Sequence, residues 1–221
     1  MTFSFHKSPS YLISLENRID RREDFIKNIT EKGFAENQFN WLVAIQDNNF
    51  GGLGCAKSHL LALCEFITKT DAPYCCILED DFRFRCSKIN VESIINSIDV
   101  NYNWDVFMLA GTQVSGIPTE LKSGQHNIEK LFEGNTSSGY IFKREYAKKL
   151  IINMLECIEG MERFRFLEPR TLIYHSFALD QLWKSMQRKD NWYCTLPMVG
   201  FQAEGFSDIE QKEVNYLPAS Q

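Results

Sequence analysis

Apolar residues along the chain fall into short runs, and most runs are followed by a polar stretch carrying apolar residues at helical spacing. "SYLISL" (10–15) has the length and branching of a buried strand. In the segment after it, Ile19, Phe25, Ile26 and Ile29 recur at roughly helical spacing, and Gly33 is a stop signal. "FNWLVAI" (39–45) predicts a second strand, and "DNNFGGLG" (47–54) a loop, because Asn and Gly tolerate positive φ. Residues 55–70 predict a mostly buried helix and "APYCCIL" (72–78) a third strand. "VESIINSI" reads as helix and "WDVFMLA" (104–110) as a fourth strand. The polar stretch from Gly111 to Gly134 is expected to be a surface excursion. A strand at 137–142, helices at 143–158 and 178–188, and a strand at 192–201 complete the pattern. Strands alternating with helices predict an α/β fold with a largely parallel central sheet flanked by helices.

Composition narrows this without changing it. The 221 residues suit one domain, expected to span 1–221 with a loosely packed tail from about residue 210. Apolar residues make up 44% and charged residues 24%, a globular balance. The net charge of −5 and the lack of a basic block argue against nucleic acid as a partner. The seven cysteines include no CxxC pair, so buried thiols in a reducing compartment are expected rather than a zinc ribbon. No transmembrane run or secretory leader is visible, which points to a cytoplasmic protein.

One stretch carries unusual chemistry. "CCILEDDFRFR" (75–85) ends an apolar run in Glu79, Asp80 and Asp81, and clustered like charge beside a buried strand is unfavourable by itself. Strand alternation puts Glu79 and Asp81 on one face and Asp80 on the other. Two carboxylates at the carboxyl end of a parallel strand can grip Mg²⁺ or Mn²⁺, which keep positions open for phosphate oxygens. Two plainer readings compete: solvated surface charge, or internal neutralisation by Arg83 and Arg85, which alternate in phase.

Further stretches form a pattern with this one. "YLISLENRIDRREDF" (11–25), "GGLGCAKSHLLAL" (51–63), "ILEDDFRF" (77–84), "SGYIFKREYAKKLI" (138–151) and "FQAEGFSDI" (201–209) resemble, in order, motifs of glycosyltransferase family 25. That family includes lipooligosaccharide-type bacterial transferases and collagen galactosyltransferases. The chain departs from it at the first turn, where Ser14 stands in place of the usual Asn and Leu15-Glu16-Asn17-Arg18 follows.

The resemblance implies a GT-A-like fold and a metal-dependent, retaining transferase. It would move a hexose, galactose first, from a UDP-sugar to a glycan, lipooligosaccharide or protein-linked acceptor, and sit peripherally at a membrane through that acceptor. It also implies Mn²⁺ or Mg²⁺ on Glu79 and Asp81, with Asp80 turned toward the donor. Donor contacts are expected from Ser14, Leu15, Asn17, Arg18, Arg21, Ser58, His59, Gln202, Ser207 and Asp208. Guanidinium suits phosphate, although Arg18 and Arg21 can equally pair with Asp20, Glu23 or Asp24. Ser58 and His59 are placed in the first turn of a helix, where backbone N–H groups favour anions. Asp180 and Gln181 are the catalytic candidates beneath the sugar, with a dipole-capping role for Asp180 as the plain alternative. His175 is expected in a solvent-facing loop. Trp104, Trp183 and Trp192 are expected in the core or at its rim rather than as a sugar platform. Two other functions stay open: a Mg²⁺-dependent phosphohydrolase using the same carboxylates, and a non-catalytic nucleotide-sugar-binding module.

Overall fold

The computed structural model describes residues 2–168, 170–207 and 212–214, the side chain of residue 170 excepted. In chain order the elements are β1 (Ser10–Ser14), α1 (Ile19–Glu31), β2 (Asn40–Val43), α2 (Gly51–Lys69), β3 (Tyr74–Glu79), β4 (Phe82–Phe84), α3 (Lys88–Asn101), β5 (Val106–Met108), β6 (Thr112–Ser123), β7 (His126–Asn135), β8 (Gly139–Lys143), α4 (Ala147–Phe164), α5 (Arg170–Phe177), α6 (Leu179–Leu182), α7 (Lys184–Lys189), β9 (Trp192–Leu196), β10 (Gly200–Gln202), β11 (Gly205–Ser207) and β12 (Lys212–Val214).

Eight strands form one central sheet in the order β2-β1-β3-β8-β5-β9-β7-β6. The β1–β2, β1–β3 and β5–β9 pairs are parallel, and the β3–β8, β5–β8, β7–β9 and β6–β7 pairs are antiparallel. Only β8 and β7 therefore run against the other six strands. The sheet is mostly parallel in strand direction, as expected, and helices flank it. Phe25 and Ile29 of α1 and Val91, Ile94, Ile95 and Ile98 of α3 pack with Cys76 and Leu78 on one side. Leu53, Ala56, Leu63 and Phe66 of α2 and Leu150 and Met154 of α4 pack with Cys75 and Ile77 on the other. Alternation along β3 thus feeds both cores, and each fully buried side chain such as Phe25 or Phe66 stabilises the fold by about 1.5–3 kcal/mol. Trp104, Trp183 and Trp192 are all fully buried, so they are core residues.

Four expectations are corrected. The stretch 111–134 is not a loop excursion but most of the β6–β7 hairpin, whose pairing carries register shifts. Its exposure alternates along β6, and Pro118 is tolerated because β6 is an edge strand. The helix at 55–70 starts one turn earlier, at Gly51, so the glycines of "GGLG" are helical. They serve close packing: a Cβ on Gly54 would sit 2.5 Å from the carbonyl oxygen of Ile45. "RTLIYHSF" is the helix α5, and His175 is exposed on it rather than on a loop. The late strand at 192–201 is two strands, β9 and β10, separated by a cis Leu196–Pro197 bond. β10 leaves the main sheet to pair with β4. Of the expected tail, Lys212–Val214 pairs with β11 and the remainder lies outside the described residues.

Candidate functional site

The carboxyl ends of β1 and β3 lie side by side, with Ile13 opposite Glu79. β8 runs the other way, so its start reaches the same end, with Gly139 opposite Leu78. Phe82 wedges under this end. A Cβ on Gly139 would meet the Phe82 ring at 2.6 Å, and one on Gly200 would also collide with it. The two glycines therefore let one aromatic ring pin β4 beneath the acidic triplet.

β3 stops at Glu79, and Asp80 and Asp81 form the turn into β4. Strand alternation ends there, so the facing of Asp81 relative to Glu79 is set by the turn and not by the pleat. Glu79 keeps the phase of Ile77 and faces α2. Its Oε1 accepts from Ser137 Oγ at 2.6 Å and lies 3.2 Å from His59 Nε2. Asp80 and Asp81 instead share one nitrogen of Arg21, at 2.9 and 3.3 Å. The second terminal nitrogen of Arg21 donates to the Phe206 carbonyl at 2.6 Å. Arg83 donates to the carbonyls of Asp80 and Phe82 and its charge also acts on Asp81 and Asp80, while Arg85 lies over the Phe201 ring.

The electrostatics of the three carboxylates diverge. Burial pushes Glu79 up, but hydrogen bonding and charge from His59, with the Ser137 bond, bring it below the usual carboxylate range. Burial raises Asp80 despite its Arg21 partner. Asp81 is pushed up to about 7, by burial first and the Glu79 charge second, with Arg21 opposing both. Asp81 Oδ2 accepts from Gln202 Nε2 at 3.1 Å. Asp81 Oδ1 is buried and has no hydrogen-bond partner among the described residues. A buried carboxylate oxygen without a donor is destabilising and calls for explanation.

Gln202 extends the network. Its Oε1 accepts from Thr136 Oγ1 at 2.7 Å, and the Thr136 N–H donates to Asp180 Oδ2 at 3.1 Å. Asp180 Oδ1 accepts from Gln181 Nε2 at 3.3 Å, while Lys184 donates to Gln181 Oε1 at 2.8 Å. Asp80, Asp81, Arg21, Gln202, Asp180 and Gln181 are therefore joined in one hydrogen-bonded network. Thr136 and Ser137, which join it, were not singled out from the sequence. The only signal for them was a run of small polar residues, "NTSSG", just before a strand.

Other expected residues sit differently. Ser14 is buried at the end of β1, and its hydroxyl donates to the Leu15 carbonyl. Asn17 is exposed in the turn, and Arg18 pairs with Asp20 at 3.0 Å. The Arg22 guanidinium holds that turn through the carbonyls of Leu15 and Glu16, both at 2.8 Å. Ser58 and His59 lie in the second turn and beyond of α2, not the first, so their backbone groups belong to the helix ladder. Ser58 Oγ donates to the Gly54 carbonyl and accepts from the Ile45 N–H, fastening the loop after β2. His59 is fully buried, with Nδ1 3.0 Å from Tyr140 Oη. It orients Glu79 and presents no surface to a ligand. Ser207 is buried in β11, and Asp208 lies outside the described residues.

Two features bear on ligands. Cys55, His59 and Glu79 bring potential metal-ligating atoms within 4.8 Å of one another, but His59 and Glu79 already satisfy each other there. The stronger fit for a hard divalent cation is Asp81 Oδ1, the buried orphan, beside Glu79, whose two hydrogen bonds both fall on Oε1. Beside Ser14, a groove of about 450 Å³ runs between α1 and β2, lined by Glu16, Ile19, Arg22, Trp41 and Val43. The Arg22 guanidinium stands 5.7 Å from the Trp41 ring centre on one wall of it.

Comparison with known proteins gives likeness in overall structure only. No family model and no curated protein matches the chain. Among solved structures it is similar to A197 from STIV, at 12% identity and a TM-score of 0.47, covering 96% of this chain and 95% of that one. It is similar to mannose-1-phosphate geranyltransferase from Thermus thermophilus, at 11% identity and a TM-score of 0.44, covering 92% and 76%. It is also similar to a glycosyltransferase involved in the glycosylation of the major capsid of PBCV-1, at 9% identity and a TM-score of 0.43, covering 92% and 96%. No helix among the described residues is long and apolar enough to cross a membrane.

Proposed function

We propose that the chain is a GT-A-like, metal-dependent hexosyltransferase of the family 25 kind, using a UDP-sugar donor such as UDP-galactose and a glycan or glycoconjugate acceptor. One observation carries the reading. Asp81 is half-buried, with one buried oxygen lacking a donor, at the point where the site's hydrogen-bond chain meets Arg21. Nothing among the described residues compensates that oxygen, and a divalent cation would.

Asp81 and Glu79 would hold Mn²⁺ or Mg²⁺, both being hard oxygen donors. Such an ion, once bound with the donor, offsets charge on the departing diphosphate. The chain's own groups have separate tasks. His59 and Ser137 keep Glu79 ionised and fix its orientation. Arg21 tethers Asp80 and Asp81 and carries a guanidinium to the edge where phosphate would lie. The groove beside Ser14 offers the Trp41 ring as a stacking face for the nucleobase, and Leu15, Asn17 and Arg18 are the donor contacts proposed in the adjoining turn. Asp180, held by the Thr136 N–H, presents a carboxylate that would stabilise positive charge at the anomeric carbon of a retaining reaction. Gln202 and Ser207 are proposed as further donor contacts, as is Asp208, which lies outside the described residues.

The test is a panel of nucleotide sugars incubated with the protein and Mn²⁺, with UDP or other nucleotide release followed over time. Release from one UDP-hexose, abolished by chelation, is the expected outcome. Release of inorganic phosphate from simple phosphomonoesters instead would favour the phosphohydrolase. Tight binding without any release would favour the non-catalytic module.

A further inference from the structure

Thr136 is the one β-branched residue of the described chain with a positive φ, +78°. That left-handed region is disfavoured for any residue with a Cβ, most of all for a branched one. The segment has another solution at hand, since glycine is used elsewhere in the chain for positive φ, at Gly33, Gly124 and Gly205. What the threonine adds is its hydroxyl, and the left-handed backbone decides where its two donors point. The N–H reaches Asp180 Oδ2 at 3.1 Å, and Oγ1 reaches Gln202 Oε1 at 2.7 Å. The same Oγ1 accepts from the Ser138 N–H at 3.3 Å. With its carbonyl oxygen committed to Thr136, Gln202 turns its amide nitrogen to Asp81. Next along the chain, Ser137 holds Glu79. One strained tripeptide therefore fixes Asp180 directly, Glu79 directly and Asp81 through Gln202.

We infer that Thr136 is a positioning residue that sets the relative orientation of Asp180 and Asp81, the strained backbone being kept because it aims both donors at once. The inference rests on the transferase reading for what is positioned, but its structural part stands apart from that reading. A glycine supplies the φ without the hydroxyl, an alanine supplies neither, a serine keeps the hydroxyl, and a valine keeps the shape alone.

Two sets of measurements test it. Thr136→Gly is expected to melt about 2–4 °C above Thr136→Ala, reversing the ordinary order of the two residues. Alanine melting at or above glycine overturns the strained backbone. In Mn²⁺-dependent hydrolysis of UDP-galactose, Thr136→Val is expected to lower kcat about tenfold or more with little change in KM, and Thr136→Ser to recover most of it. A Thr136→Val enzyme within about twofold of the parent overturns the positioning role. If the parent itself neither binds nor hydrolyses the donor, the transferase reading fails on its own. A crystal structure of Thr136→Val then decides the inference: displaced Gln202 and Asp180 side chains support it, and unchanged rotamers overturn it.

Discussion

β3 has a carboxylate problem at each end, and the two ends solve it differently. At its start, Asp99 of α3 is nearly as enclosed as Asp81, with side chains 16% and 13% exposed. Asp99 accepts from Tyr74 Oη at 2.8 Å and Trp104 Nε1 at 2.9 Å, and Lys143 Nζ stands at 3.2 Å. Burial pushes Asp99 up, but those three partners bring it below the ordinary carboxylate range. At the other end, Asp81 shares a single arginine nitrogen with Asp80, has one oxygen without a donor, and is pushed up to about 7. The fold is thus able to saturate a buried carboxylate when the carboxylate is structural. On the proposed reading, the partner that Asp81 lacks is the cation.

The sharpest way to break this contrast is to exchange the roles. Asp99→Ala is expected to lower stability by about 3 kcal/mol, since it strands Lys143, Tyr74 and Trp104, while leaving UDP affinity intact. Urea denaturation with parallel calorimetry checks both halves, and a loss of UDP binding would mean the two ends are coupled. Next in size is Asp180→Asn, expected to slow turnover about a hundredfold, or about 2.7 kcal/mol, with UDP affinity nearly unchanged. Equal losses in both would make Asp180 a support rather than a reacting group.

The pH dependence of the metal-free protein separates the two ends without touching activity. A carboxyl raised in the fold stabilises fully below its unfolded value, and that contribution disappears as pH rises through the folded value. Asp81 moves from 3.8 to about 7, so stability should fall between about pH 4 and pH 7, by roughly 4 kcal/mol. Asp80 is raised too and acts in the same direction. Glu79 and Asp99 are lowered, so their contributions vanish only as pH falls through their depressed values, below that window. Asp81→Asn should flatten the slope and Asp99→Asn should leave it in place, as thermal melts across pH would report. The smallest effect concerns Ser58, which the sequence pattern suggested as a donor contact. Ser58→Ala should cost about 1 kcal/mol for its two backbone bonds and leave UDP affinity unaltered, by the same denaturation and calorimetry.

The sequence made the α/β alternation legible because β1 and β3 are nearly continuous apolar runs and α1 carries a helical stripe. Its motifs also named several of the residues that meet around Asp81, among them Arg21, Gln202 and Asp180. Its errors have local physical causes. β6 is a mostly polar edge strand whose burial alternation breaks at Ile117 and Pro118, so it looks like a loop. The glycines before Cys55 look like loop residues but are there for helix–loop approach. Strand alternation does not reach Asp81, two residues past Glu79, and nothing in "LEDDF" shows that β3 ends at Glu79. The roles of Thr136 and Gln202 depend on contacts across 66 residues of chain, which no local pattern encodes.

On the proposed reading Asp81, and not Asp99, awaits a cation and a nucleoside diphosphate. Calorimetric titration of UDP into the protein, with Mn²⁺ and after chelation, tests it in the parent and in Asp81→Asn and Asp99→Asn. The expected result is binding in the parent and in Asp99→Asn only when Mn²⁺ is present, and none in Asp81→Asn. UDP binding that is indifferent to chelation, or that survives in Asp81→Asn, would contradict it.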